Sequence, residues 1–215
     1  MDTLPFKNIL IDGLPRTGKK ELGRKLSSKF HYTLISESPP DEIINYFYND
    51  IEKNALLTEL TFLIQRHKQL STILSSDLYE PNSTIFTFSL EKSRIYASYT
   101  LNNYEYAIFN KIYEMLAKTV QLKYNLVIIT YAEPKEILKR INQNPKNGEE
   151  KISEEYIEDL TKVFYNHYSK ISGTITVFAD TENYENGFGE EWINNLIAYL
   201  KNVKPGLNMF EPLHP

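Results

Sequence analysis

The run Leu126-Val127-Ile128-Ile129, continued by Thr130-Tyr131, limits the folds open to this chain more than any other segment. A strand that is apolar at every position has no solvent face, so it belongs inside a parallel sheet covered by helices on both sides. The run is also far shorter than the roughly 20 residues that a membrane-crossing helix needs. A second apolar run, Asn8-Ile9-Leu10-Ile11-Asp12, is closed by Gly13, and Leu22, Leu26 and Phe30 then recur at helical spacing. This predicts strand, glycine-containing loop, helix. Further strands are expected over 32–36, over 85–88 behind a Pro81-Asn82 turn, and over 174–178. Helices are expected over 42–51, 55–74, 91–101, 104–118, 134–141, 153–172 and 192–199, with Pro134 in a first helical turn. In the long 55–74 segment Leu56, Leu60, Leu63, His67, Leu70 and Leu74 fall at three- and four-residue steps, the pattern of a mostly buried helix. Strands alternating with helices argue one α/β domain over residues 1–204, built on a parallel sheet of five strands and followed by a tail, 205–215.

Charge and composition narrow the function classes. Of the 215 residues, 24 are Lys or Arg and 28 are Asp or Glu, a net charge of −4. No large positive field exists to hold a nucleic-acid polymer or an anionic membrane, so neither is expected as a partner. The absence of cysteine removes thiolate catalysis and thiolate metal sites. His31, His67, His167 and His214 never fall at a ligand spacing such as i, i+4, which argues against zinc. With no charged-then-apolar leader at the amino terminus, a soluble cytoplasmic protein is expected. Glycine is scarce at 8 residues, so those present are expected to be needed where they stand.

The segment Gly13-Leu14-Pro15-Arg16-Thr17-Gly18-Lys19 matches the G-x-x-x-x-G-K phosphate-loop pattern and lies between a predicted strand and a predicted helix. Backbone N–H groups of such a loop wrap a phosphate, the helix amino terminus adds partial positive charge, and Lys19 reaches the terminal phosphates. One position breaks the pattern. The residue after the lysine is normally Ser or Thr, whose hydroxyl ligates magnesium, and here it is Lys20. Either the metal is held by other oxygens, with the extra lysine neutralising charge, or the loop binds phosphate without catalysing transfer.

Several separated motifs resemble the deoxynucleoside kinase family, most closely its bacterial deoxyguanosine and deoxyadenosine kinase branch, over roughly residues 1–180. The resemblance implies a P-loop kinase fold with a lid at about 142–152, ATP as phosphate donor, Mg²⁺, and transfer to the 5′-hydroxyl of a purine deoxynucleoside. Glu37, in Ile35-Ser36-Glu37-Ser38-Pro39, stands where the family has its acceptor-side base. Tyr48 matches the residue that bonds the sugar 3′-hydroxyl, Glu59 the base-contacting position that is often glutamine, and Arg66 an arginine of the same pocket. Glu59 and Arg66 are two helical turns apart and so share a face, which would also suit a plain surface pair. Tyr96, in Glu91-Lys92-Ser93-Arg94-Ile95-Tyr96-Ala97, is nominated as the stacking partner of the base. The segment from Arg140 to Ile152 resembles the lid, placing Arg140 and Lys146 at the phosphates and Glu149 at the 3′-hydroxyl. Gly13, Arg16, Thr17, Gly18, Lys19 and Lys20 complete the expected phosphate site.

The departures from the family cluster at the phosphate end. The lid offers Asn144-Pro145-Lys146 where the family usually has two arginines, and the third strand runs into Thr87-Phe88 where an acidic residue followed by Arg or Tyr is usual. Asn54 stands at a tryptophan position. Three readings stay open: a working nucleoside kinase using Lys19, Lys20 and Lys146 for charge neutralisation, a catalytically impaired homologue that binds nucleosides or partners an active kinase, and a nucleotide kinase on the same scaffold. The spacing of Tyr48, Glu59 and Arg66 favours a nucleoside acceptor. A homodimer or a heterodimer with a related kinase is expected through a helical face, for which the aromatic stretch 104–113 is a candidate.

Overall fold

Along the first strand, β1 (Asn8–Gly13), Ile9 and Ile11 enter one core and Leu10 enters another, the alternation of a strand buried on both faces. The strand β4 (Leu126–Tyr131) repeats it, with Leu126 and Ile128 on one side and Val127 and Ile129 on the other. The structure, a computed structural model, describes residues 4–39, 41–76, 79, 83–146, 148–182 and 187–211. The Pro81-Asn82 turn, Pro212 and His214 lie outside the described residues. Between β1 and β4 the chain forms α1 (Lys19–Phe30), β2 (Thr33–Ile35), α2 (Asp41–Asn49), α3 (Ile51–Leu74), β3 (Thr84–Phe86), α4 (Leu90–Thr100) and α5 (Asn103–Ala117). After β4 come α6 (Pro134–Gln143), a 3-10 turn (Glu149–Lys151), α7 (Glu154–Tyr168), β5 (Ile175–Asp180), α8 (Glu190–Leu200) and β6 (Gly206–Phe210).

The strand order is β2-β3-β1-β4-β5-β6, and every neighbouring pair is parallel. The chain leaves β1 toward β2 and β3 on one side and returns to β4 on the other. Carboxyl ends of parallel strands beside such a reversal are where ligands bind in open α/β sheets. Leu22 and Leu26 of α1 pack with Ile193 and Leu196 of α8 over one face; Leu63, Ile95, Ile137 and Leu160, from α3, α4, α6 and α7, cover the other.

The sheet has six strands, so the expectation of five is corrected. The sixth, β6, comes from the segment read as a tail. Its sequence hides it, because Leu207 and Met209 are exposed and only Phe210 is fully covered, as suits an edge strand. Phe210 packs edge-on against Trp192 at 5.4 Å and tilted against Tyr199 at the same centroid distance. The long helix α3 starts earlier than its apolar pattern, at Ile51, because the Asp50 side chain accepts the Lys53 N–H. Its buried face is also more polar than expected. Leu63 and Leu70 are fully covered, but Leu56, Leu60, His67 and Leu74 are only partly so, while Asn54, Thr58, Glu59 and Arg66 are buried. Buried polar residues on one helix mark a wall that faces something other than core.

Candidate active site

The loop leaving β1 is braced from behind. Gly13 has φ 149°, and a Cβ there would sit 2.3 Å from the Thr130 carbonyl oxygen of β4. Only glycine lets the chain turn out of the sheet so close to its neighbour. Arg16 takes the left-handed region (φ 64°), and Gly18 does so as the N-cap of α1 (φ 82°). The Thr17 hydroxyl donates to the Leu14 carbonyl at 2.9 Å and lies 2.8 Å from the Thr130 hydroxyl. Gly13 and Thr17 therefore support the loop from its buried side and do not line the cavity in front of it, whereas Arg16, Gly18, Lys19 and Lys20 do. Lys19 Nζ folds back to donate to the Leu14 carbonyl at 3.0 Å. Burial, and then the neighbouring Lys92 charge, lower its ammonium to about 7. Lys20 Nζ donates to the Glu37 carbonyl at 3.1 Å, tying the start of α1 to the end of β2.

That cavity, about 800 Å³, runs from the loop to a pocket walled by α2, α3 and α4. Glu37 stands where the two ends meet. Arg66 of α3 donates to Glu37 Oε1 through Nε at 2.7 Å, its second terminal nitrogen lies 2.6 Å from the same oxygen, and the first donates to Ser93 Oγ at 2.7 Å. Burial alone would raise the Glu37 carboxyl, but Arg66, with Lys92 and Lys19 behind it, holds it down at about 2. Glu59 and Arg66 do share a face, yet not as a surface pair, since 3% and 5% of each is exposed. Burial pushes the Glu59 carboxyl up to about 7, against the pull of Arg66 and a 3.0 Å hydrogen bond donated by Thr100. The Thr58 hydroxyl beside it is buried in the cavity wall with no hydrogen-bond partner. Tyr96 also lines the wall, its ring held edge-on by Phe164 at 5.6 Å. Tyr48 completes this end. Burial raises its hydroxyl first, and Glu149 and Glu59 add to the effect.

The segment after α6 reaches the loop. Glu149 forms an ion pair with Arg16, whose guanidinium also donates to the Asn144 carbonyl at 2.7 Å, and accepts the Lys146 N–H at 3.2 Å. Lys146 lines the cavity with its residue exposed. Arg140 touches the cavity, but its guanidinium is committed to protein: Nε to Glu136 at 2.8 Å, and the terminal nitrogens to the carbonyls of Arg16, Thr181 and Glu182 at 2.7 to 3.2 Å. It joins α6, the loop and the segment after β5 in one frame.

The family model for deoxynucleoside kinases matches residues 9–203 of this chain. The chain belongs to that family. Its enzyme class is therefore phosphoryl transfer to a nucleoside hydroxyl. Among curated relatives, it is 32% identical over 161 residues to deoxyguanosine kinase of Bacillus subtilis (strain 168), covering 74% of this chain and 76% of that protein. It is 21% identical over 205 residues to deoxyadenosine/deoxycytidine kinase of the same organism, covering 91% and 92%. Among solved structures, deoxyadenosine kinase from M. mycoides with bound dATP matches with a TM-score of 0.67 at 22% identity, over 81% of this chain and 91% of that one. The same kinase with bound dCTP gives 0.65 at 23% identity, over 81% and 90%.

Within this deoxynucleoside kinase, one charged group at the phosphate end escaped the sequence argument. Lys92 of α4, with 5% of its side chain exposed, places Nζ 2.9 Å from Asp12 Oδ1 and 3.4 Å from the Gly13 carbonyl oxygen. Asp12 also accepts the Gly13 N–H and the Tyr168 hydroxyl, each at 2.8 Å. Two signals pointed to it. Asp12 is an acid closing an apolar strand, which asks for a buried cation, and Lys92 is four residues before Tyr96, on the same helix face. Ser93, Thr100 and Thr58 were missed as well, because a hydroxyl on a helix carries no pattern of its own.

The residues present do not fit the Mg²⁺ that the family resemblance implies. A magnesium ion wants near-octahedral oxygen donors, commonly one or two carboxylates with waters and substrate phosphates. The hydroxyl position is Lys20, and the end of β3 is neutral, with Thr87 Oγ1 accepting the Glu37 N–H at 3.3 Å. Asp12 is neutralised by Lys92 and Glu37 by Arg66. Among the described residues no group of three or more His, Asp or Glu side chains is placed to hold a metal ion.

Proposed function

We propose that this kinase transfers the γ-phosphoryl group of ATP to the 5′-hydroxyl of a purine deoxynucleoside. The observation that carries the proposal is Glu37, ionised and fixed by Arg66 between the phosphate loop and the Glu59–Tyr96–Tyr48 pocket of one continuous cavity. A 5′-hydroxyl meeting that carboxylate would donate to it and be aimed toward the loop. With a pKa of about 2 Glu37 is a weak base, which suits a loose transition state in which positioning and charge stabilisation supply most of the rate. Tyr96 offers a face for stacking, while the Glu59 carboxyl and the unpaired Thr58 hydroxyl offer polar contacts for the edge of a base. A carboxyl poised near 7 both donates and accepts when protonated, as the amide of glutamine does. The proposed purine preference also draws on the relatives named for deoxyguanosine and deoxyadenosine.

The test is ATP consumption with a panel of deoxynucleosides. Product from deoxyguanosine or deoxyadenosine, and a loss of about 10²- to 10⁴-fold in kcat for Glu37→Gln, are expected. A second reading, a catalytically impaired homologue that binds nucleosides or serves as a partner subunit, is favoured by one observation: Arg140 is committed to Glu136 and three carbonyls. No product from any deoxynucleoside, alongside a nucleoside-induced rise in melting temperature, would decide for that reading.

We further propose a dimer through the α3–α5 face, where Leu57 and Ile64 on one helix and Tyr104, Ile108 and Met115 on the other are exposed. A monomeric mass by light scattering would exclude it. The proposed compartment is the cytoplasm, and cell fractionation tests it; among the described residues no helix is long and apolar enough to cross a membrane.

A further inference from the structure

The phosphate end of the cavity poses a problem of charge. A nucleoside triphosphate brings several negative charges, and both positions where the family resemblance implies a metal ligand are altered, to Lys20 and to Thr87. Asp12 and Glu37 are already matched by Lys92 and Arg66. The site holds two further ammonium groups that approach the loop from different elements. Lys20 comes from the first turn of α1 and is held by the Glu37 carbonyl. Lys92 comes from α4 and is held by Asp12 and the Gly13 carbonyl. Both line the same cavity as Lys19.

Resting on the kinase reading with ATP as donor, we infer that the site carries its counter-charge as these two fixed lysines in place of bound Mg²⁺, so that it takes the free triphosphate at least as tightly as the metal complex. Lys20 adds a full positive charge, and Lys92 turns the ammonium side of its pair with Asp12 to the cavity, which Asp12 itself does not line. Both lysines are covalently tethered and need no carboxylate or hydroxyl ligands, which explains why both ligand positions are altered together. Lys92 is already felt on both sides of the junction, since its charge lowers both Lys19 and Glu37. It is rooted in α4 just beyond the neutral end of β3, where Phe88 stands at a position that the resemblance gives as Arg or Tyr. A metal-bound triphosphate carries less negative charge into a site whose cations are built in, so the complex has no electrostatic advantage there.

Calorimetric titration of the full chain with ATP, in EDTA and in excess Mg²⁺, tests this without requiring turnover. The expected dissociation constant in EDTA is within about threefold of that in Mg²⁺, or tighter. ATP binding that weakens by about tenfold or more in EDTA would overturn the inference. Lys20→Ser removes one ammonium and restores a hydroxyl ligand: ATP affinity in EDTA should fall about tenfold and be recovered by Mg²⁺. No change in EDTA would count against Lys20. For Lys92 the double variant Asp12→Asn/Lys92→Met avoids leaving a buried charge unpaired; because it removes both charges of the pair, its loss in EDTA should be smaller than that of Lys20→Ser, and no loss at all would count against Lys92. The two readings separate cleanly. Metal-dependent binding with intact turnover removes the inference and leaves the kinase; metal-independent binding without turnover on any deoxynucleoside removes the kinase and leaves the inference.

Discussion

The two ends of the cavity solve the burial of charge in different ways. At the acceptor end, charge is confined to one tight pair, Glu37 with Arg66, and the remaining acid, Glu59, is held near 7 by its surroundings, where it is readily protonated. At the phosphate end Lys19, Lys20 and Lys92 line the cavity together, with Asp12 paired to Lys92 behind the wall and Glu21 in the lining, so lysines outnumber the acids there. The lesson is that a pocket for a neutral nucleoside must be internally balanced, whereas a pocket for an anion is left unbalanced until its ligand arrives.

Breaking the balanced pair should cost most. Arg66→Met strands Glu37 in the cavity wall and is expected to lower unfolding free energy by about 3 kcal/mol or more, read from urea denaturation at neutral pH. A loss below about 1 kcal/mol would mean that water already screens the pair. Glu59 tests the same end with the opposite sign. Its folded pKa is raised from 4.5 to about 7, so the native state holds the proton more tightly, and stability falls as pH rises from about 4.5 to 7. Glu59→Gln should therefore stabilise by up to about 3 kcal/mol at pH 8 and change little at pH 4. Equal effects at both pH values would refute the buried-acid account.

At the unbalanced end the readout is binding. Lys19, lowered to about 7 in the free enzyme, regains its charge beside a polyphosphate. ATP affinity should be flat below pH 7 and weaken by about tenfold per pH unit above it, with proton uptake visible as a buffer-dependent enthalpy. A pH-independent affinity between 7 and 9 would show Lys19 fully charged before binding. Smallest is the contact between Arg16 and Glu149. Arg16 and Glu149 have 20% and 15% of their side chains exposed, so Glu149→Gln should cost about 1 kcal/mol of stability, and a shift in nucleoside KM without a shift in kcat would mark Glu149 as part of the acceptor site. No KM change would leave it a latch on the loop.

Much of the architecture was legible in the sequence. β1 and β4 are continuous apolar runs, and the glycine-flanked loop between strand and helix announces itself by spacing. β6 was not legible, because an edge strand with Leu207 and Met209 exposed has no apolar run to detect. In the site, Glu37, Tyr48, Glu59, Arg66 and Tyr96 were readable through family spacing, and the structure brings all of them to one cavity. Lys92, one turn before Tyr96, was not legible, since a lysine on a helix reads as solvated until its partner is known.

The order of residues alone was enough to determine a parallel α/β sheet and a glycine-flanked loop between its first strand and first helix, because both rest on periodicity and on turns spanning a few residues. Which charges neutralise each other was decided only by the tertiary structure. Asp12 meets Lys92 across 80 residues and Glu37 meets Arg66 across 29, and Coulomb energy depends on distance in space and on water excluded between the partners.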